Sequence, residues 1–249
     1  EGAIRFKNVT FTYPDTGIKA LNNVSFEISN GGSLAIVGKT GSGKSTIAQL
    51  ISRLYEVDSG KILIDEKNIT KLNLFDLRNS IGYVPQEALL FSDSIANNIA
   101  FGSKQKTETK TIKSAAKMAA IHDNIINFKE GYETQVGERG VTLSGGQKQR
   151  ISIARAFIRN PQILIFDDCL SAVDTETEDH ILKHLKEMMQ SCTSIIISHR
   201  ISSIKHVEQI IVLDEGSIVE AGTHQQLLKK QGVYFEMHEQ QLAEEDSLA

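Results

Sequence analysis

The 249-residue chain has a net charge of −4, 40% hydrophobic residues and two cysteines. This charge argues against a nucleic-acid-binding domain, which usually presents a basic surface, and two cysteines cannot form the disulfide framework of a secreted scaffold. No apolar run reaches the ~18 residues of a membrane-spanning helix, so we expect a globular domain. The low cysteine count favours a reducing compartment, and we expect no signal peptide.

The first quarter of the chain alternates between strand and helix patterns. Short alternating or β-branched runs over residues 3–38 are broken by turn residues and predict strands. A helical spacing follows and predicts a helix over residues 44–55, with apolar positions at Ile47, Leu50, Ile51 and Leu54. The sequence GKILIDEKNI at residues 60–69 returns to a strand pattern.

A helical middle third separates two groups of strands. Residues 89–160 contain helix-like segments with few β-branched runs, so we predict a helical subdomain there. The segments lie at 93–102, 111–128 and 146–160. Strand patterns resume at 162–168, 192–199, 208–216 and 217–223, with a helix pattern at 175–190.

Continuous apolar strands that alternate with helices predict an α/β fold with a mostly parallel sheet covered on both faces. Active sites in such sheets lie at the carboxyl ends of the strands. We therefore expect every functional motif to follow an apolar strand.

A phosphate-binding sequence, GKTGSGKST, lies between a predicted strand and a predicted helix and matches the pattern G-x-x-x-x-G-K-[ST]. Glycines let backbone N–H groups wrap a phosphate chain, and the helix N-terminus adds partial positive charge. Lys44 can reach the β- and γ-phosphates, and Ser45 can ligate Mg²⁺. The candidate nucleotide-binding residues of this loop are Gly38, Lys39, Thr40, Gly41, Ser42, Gly43, Lys44, Ser45 and Thr46.

Two adjacent carboxylates end the apolar run ILIF. Mg²⁺ bound to a nucleotide needs a carboxylate from a neighbouring strand end, and Asp167 fits that role. Asp168 follows it directly and is the candidate catalytic group.

The sequence LSGGQKQR at residues 143–150 is not explained by a general nucleotide-binding fold. Together with the phosphate-binding sequence, it makes nearly the whole chain resemble the nucleotide-binding domain of an ABC transporter. The resemblance implies a P-loop NTPase core with an N-terminal antiparallel β subdomain and an inserted α-helical subdomain. The implied division is 1–88 and 161–236 for the core, 89–160 for the helical subdomain and 237–249 for a polar C-terminal tail.

The resemblance also implies roles for residues outside the phosphate loop. Tyr13 matches the aromatic residue that stacks on adenine, Gln86 matches the glutamine that senses the γ-phosphate and Mg²⁺, and His199 matches the switch histidine. SAVD, which ends at Asp174, matches the D-loop. The signature residues are Ser144, Gly145, Gly146 and Gln147.

A glycine-rich turn that opens a helix, as SGGQ does, is a second anion site. In the family this signature closes on ATP bound by the other subunit, so two ATP–Mg²⁺ are held in a head-to-tail dimer. The resemblance thus implies a second nucleotide-binding domain as a partner.

TQVGERG at residues 134–140 resembles the X-loop of exporter-type members, with Glu138 at its acidic position. The resemblance implies a transmembrane domain that contacts Glu138 and the region of Gln86, and a location on the cytoplasmic face of a membrane. Because the chain starts at Glu1, we expect it to be part of a longer polypeptide. We expect no nucleic-acid partner.

Asp168 departs from the family pattern, in which this position holds the Glu that activates the attacking water. Free Asp and Glu differ by only about 0.4 pKa unit, but the Asp side chain is one methylene shorter. A misplacement of about 1 Å can cost about 10²-fold in rate. We therefore expect normal ATP binding, weak hydrolysis and a heterodimeric exporter in which the intact signature serves the partner's site.

Several alternatives remain open. In one, Asp168 is a competent base and the chain is half of a fully active homodimeric exporter. Others are a soluble ABC ATPase of DNA maintenance or translation, a stand-alone importer ATPase, and a regulatory module that binds ATP but scarcely hydrolyses it. No coiled-coil heptad run lies between Ser45 and Ser144, which argues against the DNA-maintenance type.

Overall fold

Strands of two different topologies form the framework of the computed structural model, which describes residues 2–101, 103, 107–137, 142–171, 173–189 and 192–248. The strands are β1 (Ile4–Thr12), β2 (Lys19–Ile28), β3 (Ser33–Val37), β4 (Ser59–Ile64), β5 (Lys67–Asn68), β6 (Ile81–Val84), β7 (Ile163–Asp167), β8 (Thr193–Ile197), β9 (Gln209–Asp214) and β10 (Ser217–Gly222).

The first sheet has the order β2-β1-β4-β5, and its pairs are antiparallel. The second sheet has the order β10-β9-β3-β8-β7-β6, in which only the β9–β10 pair is antiparallel. The predicted α/β class, with an antiparallel subdomain and a mostly parallel sheet, is therefore confirmed.

The helices are α1 (Lys44–Ile51), α2 (Leu74–Ser80), α3 (Ile95–Ala100), α4 (Thr109–Met118), α5 (His122–Ile126), α6 (Gly145–Phe157), α7 (Thr175–Met189), α8 (His224–Lys230) and α9 (Val233–Leu248). Short 3₁₀ helices lie at Ile69–Lys71 and Gly131–Glu133. Among the described residues, no helix is long and apolar enough to cross a bilayer.

The parallel sheet separates two apolar cores. Strand β3 is buried along its whole length, and its alternate side chains face opposite sides. Ala35 and Val37 pack in the core with the helices α3, α4 and α6, whereas Leu34 and Ile36 pack in the core with α1 and the antiparallel sheet. This two-sided burial explains why the sequence of β3 is continuously apolar.

Several predicted boundaries are wrong. The helix predicted over residues 44–55 ends at Ile51, and Arg53 takes a positive φ of 51° just beyond it, a conformation common at helix ends. The strand predicted at 60–69 is a hairpin of β4 and β5, turned by Asp65 and Glu66 with φ of 49° and 63°.

Two further predicted segments are helical in the structure. The segment 111–128 forms α4 and α5, because Ala120 adopts φ of 52° between them. The polar C-terminal segment expected at 237–249 is helical almost throughout, because α9 continues to Leu248. Its Tyr234 is fully buried and Met237 packs on the core, so apolar contacts hold the first two turns of this helix.

Arg155 on α6 joins three parts of the helical region. Its guanidinium donates to the Asn98 carbonyl at 2.8 Å and to the Leu89 carbonyl at 2.9 Å, and it lies over the rings of Phe91 and Phe101. Asn98 lies in the last turn of α3, where carbonyl groups lack partners within the helix. The Arg155 side chain therefore completes the C-terminal end of α3.

We expect Arg155→Met to lower the free energy of unfolding by about 2–3 kcal/mol, because it removes charged hydrogen bonds and leaves carbonyl groups without partners. Chemical denaturation with two or more probes measures this loss. Arg5→Met is the matched control, since Arg5 also makes three hydrogen bonds but on an exposed surface, where ion pairs contribute little. Equal unfolding midpoints for the two variants would contradict this assignment.

Candidate active site

An open cleft of about 360 Å³ lies where the carboxyl ends of the parallel strands meet the antiparallel subdomain. Strands β3, β6, β7 and β8 are parallel, so the loops that follow them converge at one edge. The cleft is lined by Tyr13, Ile18, Ala20, Thr40, Gly41, Gly43, Lys44, Ser45, Thr46, Gln86, Asp168, Ile197 and His199.

The phosphate loop follows β3 and depends on glycine at two close approaches. Gly38 has φ of 148°, and a Cβ there would lie 2.1 Å from the Leu213 carbonyl oxygen. Gly43 has φ of 99°, and its Cβ would lie 2.3 Å from the Ala20 carbonyl oxygen. No described side chain caps the N-terminus of α1. The N–H groups of its first turn are thus oriented for an anion in the cleft.

Lys44 is a buried cation at the start of α1, with 6% of its surface exposed. Its Nζ donates to the carbonyl oxygens of Gly38 at 2.8 Å and Lys39 at 2.7 Å. Burial lowers the pKa of Lys44, and the charges of Asp168 and Asp167 oppose that shift. The ammonium group is therefore only partly compensated, which favours an added anion.

Asp167 lies beneath the cleft, where only 2% of it is exposed. Its carboxylate accepts hydrogen bonds from the Ser45 hydroxyl at 2.8 Å and the Tyr83 hydroxyl at 2.9 Å. Burial raises the pKa of Asp167 despite these bonds, and burial together with Asp167 also raises the pKa of Tyr83. The Ser45 hydroxyl and the Asp167 carboxylate are hard oxygen donors, the kind that Mg²⁺ prefers.

Asp168 lies at the edge of the cleft, with 11% of its side chain exposed. Its backbone N–H donates to the Ile197 carbonyl at 2.8 Å, and its φ of 46° is one that Asp tolerates better than most residues. Its Oδ2 accepts from Gln86 Nε2 at 3.4 Å and lies 3.8 Å from His199 Nε2. The three polar groups predicted for catalysis thus share one wall of the cleft.

Tyr13 follows β1 on the antiparallel sheet, so the expectation that every motif follows a strand of the parallel sheet is wrong for it. Its hydroxyl is 2.9 Å from Thr46 Oγ1 and donates to Gln49 Oε1 at 2.9 Å. Its ring contacts Phe11 and Tyr55 edge-on. These contacts hold an aromatic side chain beside the phosphate loop.

The signature residues lie outside the cleft, at the N-terminus of α6 in the helical region. Ser144 and Gln147 form a capping box, in which Ser144 Oγ accepts the Gln147 N–H at 3.2 Å and Gln147 Oε1 accepts the Ser144 N–H at 2.9 Å. Ser144 and Gly145 are exposed, and a Cβ at Gly145 would meet no atom of the described residues within 4 Å. Packing against the described part of the chain therefore does not require glycine at this position.

Asp174 also lies outside the cleft and accepts the Thr177 N–H at 3.0 Å in the first turn of α7. That bond and the Thr177 side chain lower the pKa of Asp174, as expected for a carboxylate at a helix N-terminus. Glu138, predicted to contact a membrane domain, lies outside the described residues.

Sequence reasoning missed two side chains that hold the site, the half-buried Tyr83 and the buried Gln149. Tyr83 on β6 bonds Asp167, and its position beside Gln86 in the sequence was the available signal. Gln149 on α6 is 3% exposed and donates to the Pro85 carbonyl at 2.8 Å, just before Gln86. The sequence gives no sign that Gln149 is buried, because it is a polar residue among other polar residues.

Comparison with known proteins gives the family. The sequence model described as ABC transporter matches residues 21–171. The ATP-dependent lipid A-core flippase of Escherichia coli (strain K12) is 45% identical over 243 residues, which is 98% of this chain and 42% of the flippase. The flippase of the same name from Shigella flexneri aligns with the same identity and coverage.

A solved structure of a bacterial Atm1-family ABC exporter with ATP bound superposes with a TM-score of 0.92 at 44% identity, over 97% of this chain and 42% of that chain. The chain therefore belongs to the ABC transporter family, and it is similar to the nucleotide-binding part of exporters. It spans less than half the length of these relatives.

We expect Asp167→Asn to raise the melting temperature of the nucleotide-free protein at neutral pH. A carboxyl whose folded pKa is raised stabilises the fold below its unfolded pKa, and that contribution is lost as pH rises through the folded pKa. The neutral amide avoids this loss, and the hydroxyls of Ser45 and Tyr83 can accept as well as donate hydrogen bonds. The gain should shrink as pH falls towards the range where Asp167 itself is protonated.

Asp93→Asn is the matched control for this experiment. Hydrogen bonds from Asn97 and the Ser94 N–H lower the pKa of Asp93, so the same substitution should decrease stability at neutral pH. Melting temperatures measured across pH give the sign of the stability change for each variant. A lower melting temperature for Asp167→Asn at neutral pH would contradict the raised pKa of Asp167.

Proposed function

We propose that this chain is the ATP-binding and ATP-hydrolysing domain of an ABC exporter, whose hydrolysis drives transport across a membrane. The observation that supports this most is one cleft that contains the phosphate loop, the Ser45–Asp167 pair and the polar wall of Gln86, Asp168 and His199. Family membership supports ATP as the nucleotide. The relatives' names support export but concern proteins more than twice as long.

The phosphates would lie against the N–H groups of the loop and of α1, with the Lys44 ammonium turning from its carbonyl partners to the β- and γ-phosphates. Tyr13, which lines the same cleft, would stack on the adenine. Mg²⁺ would be held by Ser45, Asp167 and Gln86, and it would neutralise charge on the phosphates. Thr46 and the rest of the loop complete the binding residues.

Hydrolysis in this site requires attack of a water oxygen on the γ-phosphorus and cleavage of the bond to the β-phosphate oxygen. Asp168 would accept the proton from that water, Gln86 would orient the water, and His199 would contact the γ-phosphate. Asp168 is shorter than the Glu usual in the family by one methylene, or about 1 Å. Such a displacement costs about 10²-fold, or about 2.7 kcal/mol of barrier.

The signature would act on another subunit. Ser144 and Gly145 are exposed at the start of a 13-residue helix, and no atom of the described residues would contact a Cβ at Gly145. A helix N-terminus with that space can accept phosphate from a partner's cleft. We propose a head-to-tail dimer in which this intact signature, with Asp174 beside it, completes the partner's site.

A membrane domain would dock near the loop after β6. Leu89, Phe91 and Phe101 are exposed by 67%, 39% and 52%, and the two Phe rings contact each other at 4.2 Å between centroids with a tilt of 32°. Neighbouring exposed apolar side chains favour an interface. This surface lies close in sequence to Gln86, so docking there can influence the site, and the chain would lie on the cytoplasmic face of the membrane.

The domain division proposed is a core of 1–88 and 161–236, an inserted helical subdomain of 89–160 and a polar C-terminal segment of 237–249, of which α9 includes all but the last residue. The leading alternative is a homodimeric exporter in which Asp168 is fully active, since Asp168 already lies near Gln86 and His199.

We expect Asp168→Glu to raise the turnover of Mg-ATP by tenfold or more, because the longer side chain reaches the attacking water. Nucleotide affinity should not change, since the phosphate loop is intact. The measurement is steady-state hydrolysis at concentrations where two copies meet, with ATP binding followed by fluorescence titration. Asp58→Glu adds the same methylene on an exposed surface and serves as the control.

Asp tolerates the left-handed conformation at this position better than Glu, so a slightly lower melting temperature should accompany the faster turnover. If the parent chain already hydrolyses ATP as fast as Asp168→Glu, the altered site is not defective and the homodimeric alternative stands. If neither protein binds ATP, the proposed function itself is wrong.

A further inference from the structure

The C-terminal helix α9 makes a direct contact with the loop that carries His199. The side-chain amide of Gln241 accepts the backbone N–H of Ile201 at 2.8 Å and donates to the backbone carbonyl of His199 at 2.5 Å. One side chain therefore bridges the two backbone groups on either side of Arg200. Such a bridge fixes the backbone where the His199 side chain begins.

The position of Gln241 is itself set by packing. Tyr234, Met237 and Gln241 are spaced by three and four residues and share one face of α9. Tyr234 is fully buried, its hydroxyl is 2.8 Å from His224 Nδ1, and its backbone N–H donates to Glu220. Because the first turns of α9 are held at the core, Gln241 is delivered to the loop with a defined orientation.

The same loop is also held by an ion pair between the half-exposed Arg200 and the buried Glu178. Arg200 donates to Glu178 Oε2 at 2.5 Å and to the Ser171 carbonyl at 3.4 Å, and Glu178 also accepts from the hydroxyl of Ser203. These contacts anchor the Arg200 side chain to α7. Ser198 Oγ bonds the backbone N–H of Arg200, and the Ile201 carbonyl accepts from the N–H groups of Ile204 and Lys205. The His199 carbonyl and the Ile201 N–H bond Gln241 instead.

We infer that Gln241 is a positioning residue for His199, so that α9 controls how the His199 imidazole faces Asp168 and the bound nucleotide. Without the amide, the His199 carbonyl and the Ile201 N–H lose the partner that aligns them, and the imidazole can rotate away from Asp168 Oδ2, 3.8 Å distant. This inference rests on the proposed function, in which His199 contacts the γ-phosphate.

The test uses the complete 249-residue chain in three variants made in the Asp168→Glu background, where turnover is measurable. Gln241→Leu removes both hydrogen bonds but keeps an apolar side chain of similar size. Gln241→Glu keeps an acceptor for the Ile201 N–H and removes the donor to the His199 carbonyl. Gln240→Leu changes the adjacent, exposed glutamine and is the matched control.

We expect Gln241→Leu to shift the NMR resonances of the His199 imidazole, to speed amide exchange at Ile201 and to lower turnover by about 10-fold, since small misplacements of a reacting group are costly. ATP affinity should stay within about twofold, because the lost interaction acts in the transition state. Gln241→Glu should keep Ile201 protected, yet still shift His199 and lower turnover.

Unchanged His199 resonances in Gln241→Leu, or turnover equal to that of Gln240→Leu, would overturn the inference. A turnover loss without a shift at His199 would also overturn it, since Gln241 would then act elsewhere. If Gln241→Leu does not fold, the same readouts on Gln241→Glu decide. If no protein in the series hydrolyses ATP, the proposed function fails, and the His199 resonances alone decide whether Gln241 positions this side chain.

Discussion

The candidate active site depends on one constraint, the parallel pairing of neighbouring strands in the second sheet. The pairs are β3 with β8, β8 with β7 and β7 with β6. This pairing brings the phosphate loop, Asp167, Asp168, Gln86 and His199 to one edge of the sheet, although they are up to 161 residues apart in the chain. The pairing needs strands buried on both faces, and the near-continuous apolar runs of β3, β7 and β8 meet that need. The same burial determines the electrostatics of the site.

Burial makes the nucleotide-free site electrostatically unfavourable in a way that suits its ligand. Lys44 is buried against carbonyl groups with a lowered pKa, and Asp167 is buried with a raised pKa. Each charged form costs free energy in the absence of ligand. A phosphate chain and a divalent cation would compensate both charges at once. Without them, the charged side chains make the fold less stable than neutral side chains at the same positions would, a cost that is common where function requires charge.

The parts of the structure that could be predicted from the sequence are those with a local pattern. The strands, the phosphate loop and α7 follow apolar periodicity or a short motif, and the α/β class followed from their order. The break at Ala120 and the hairpin turn at Asp65 and Glu66 could not be predicted in this way, because non-glycine residues adopt positive φ there.

Long-range polar contacts were the larger omission. The pairs Tyr83 with Asp167, Gln149 with Pro85 and Gln241 with His199 join residues between 42 and 84 positions apart. The local sequence does not show which distant residue each of these side chains contacts. The polar segment expected at 237–249 lies almost wholly within α9. Tyr234 and Met237 pack the first turns of this helix on the core.

Within one chain the signature lies outside the cleft. This separation supports the central proposal, that each ATP would be held by the phosphate loop of one copy and the signature of another. The most direct measurement mixes two disabled proteins. One carries Asp168→Glu with Ser144→Arg, so its phosphate loop is functional and its signature is disabled. The other carries Lys44→Ala, so its signature is functional and its phosphate loop is disabled.

Each protein alone should be inactive, because neither can assemble a complete site from two copies of itself. An equimolar mixture should hydrolyse ATP at about a quarter of the rate of Asp168→Glu, since half of the dimers are mixed and each mixed dimer has one complete site of two. A mixture no more active than the sum of its separate components would contradict the shared site.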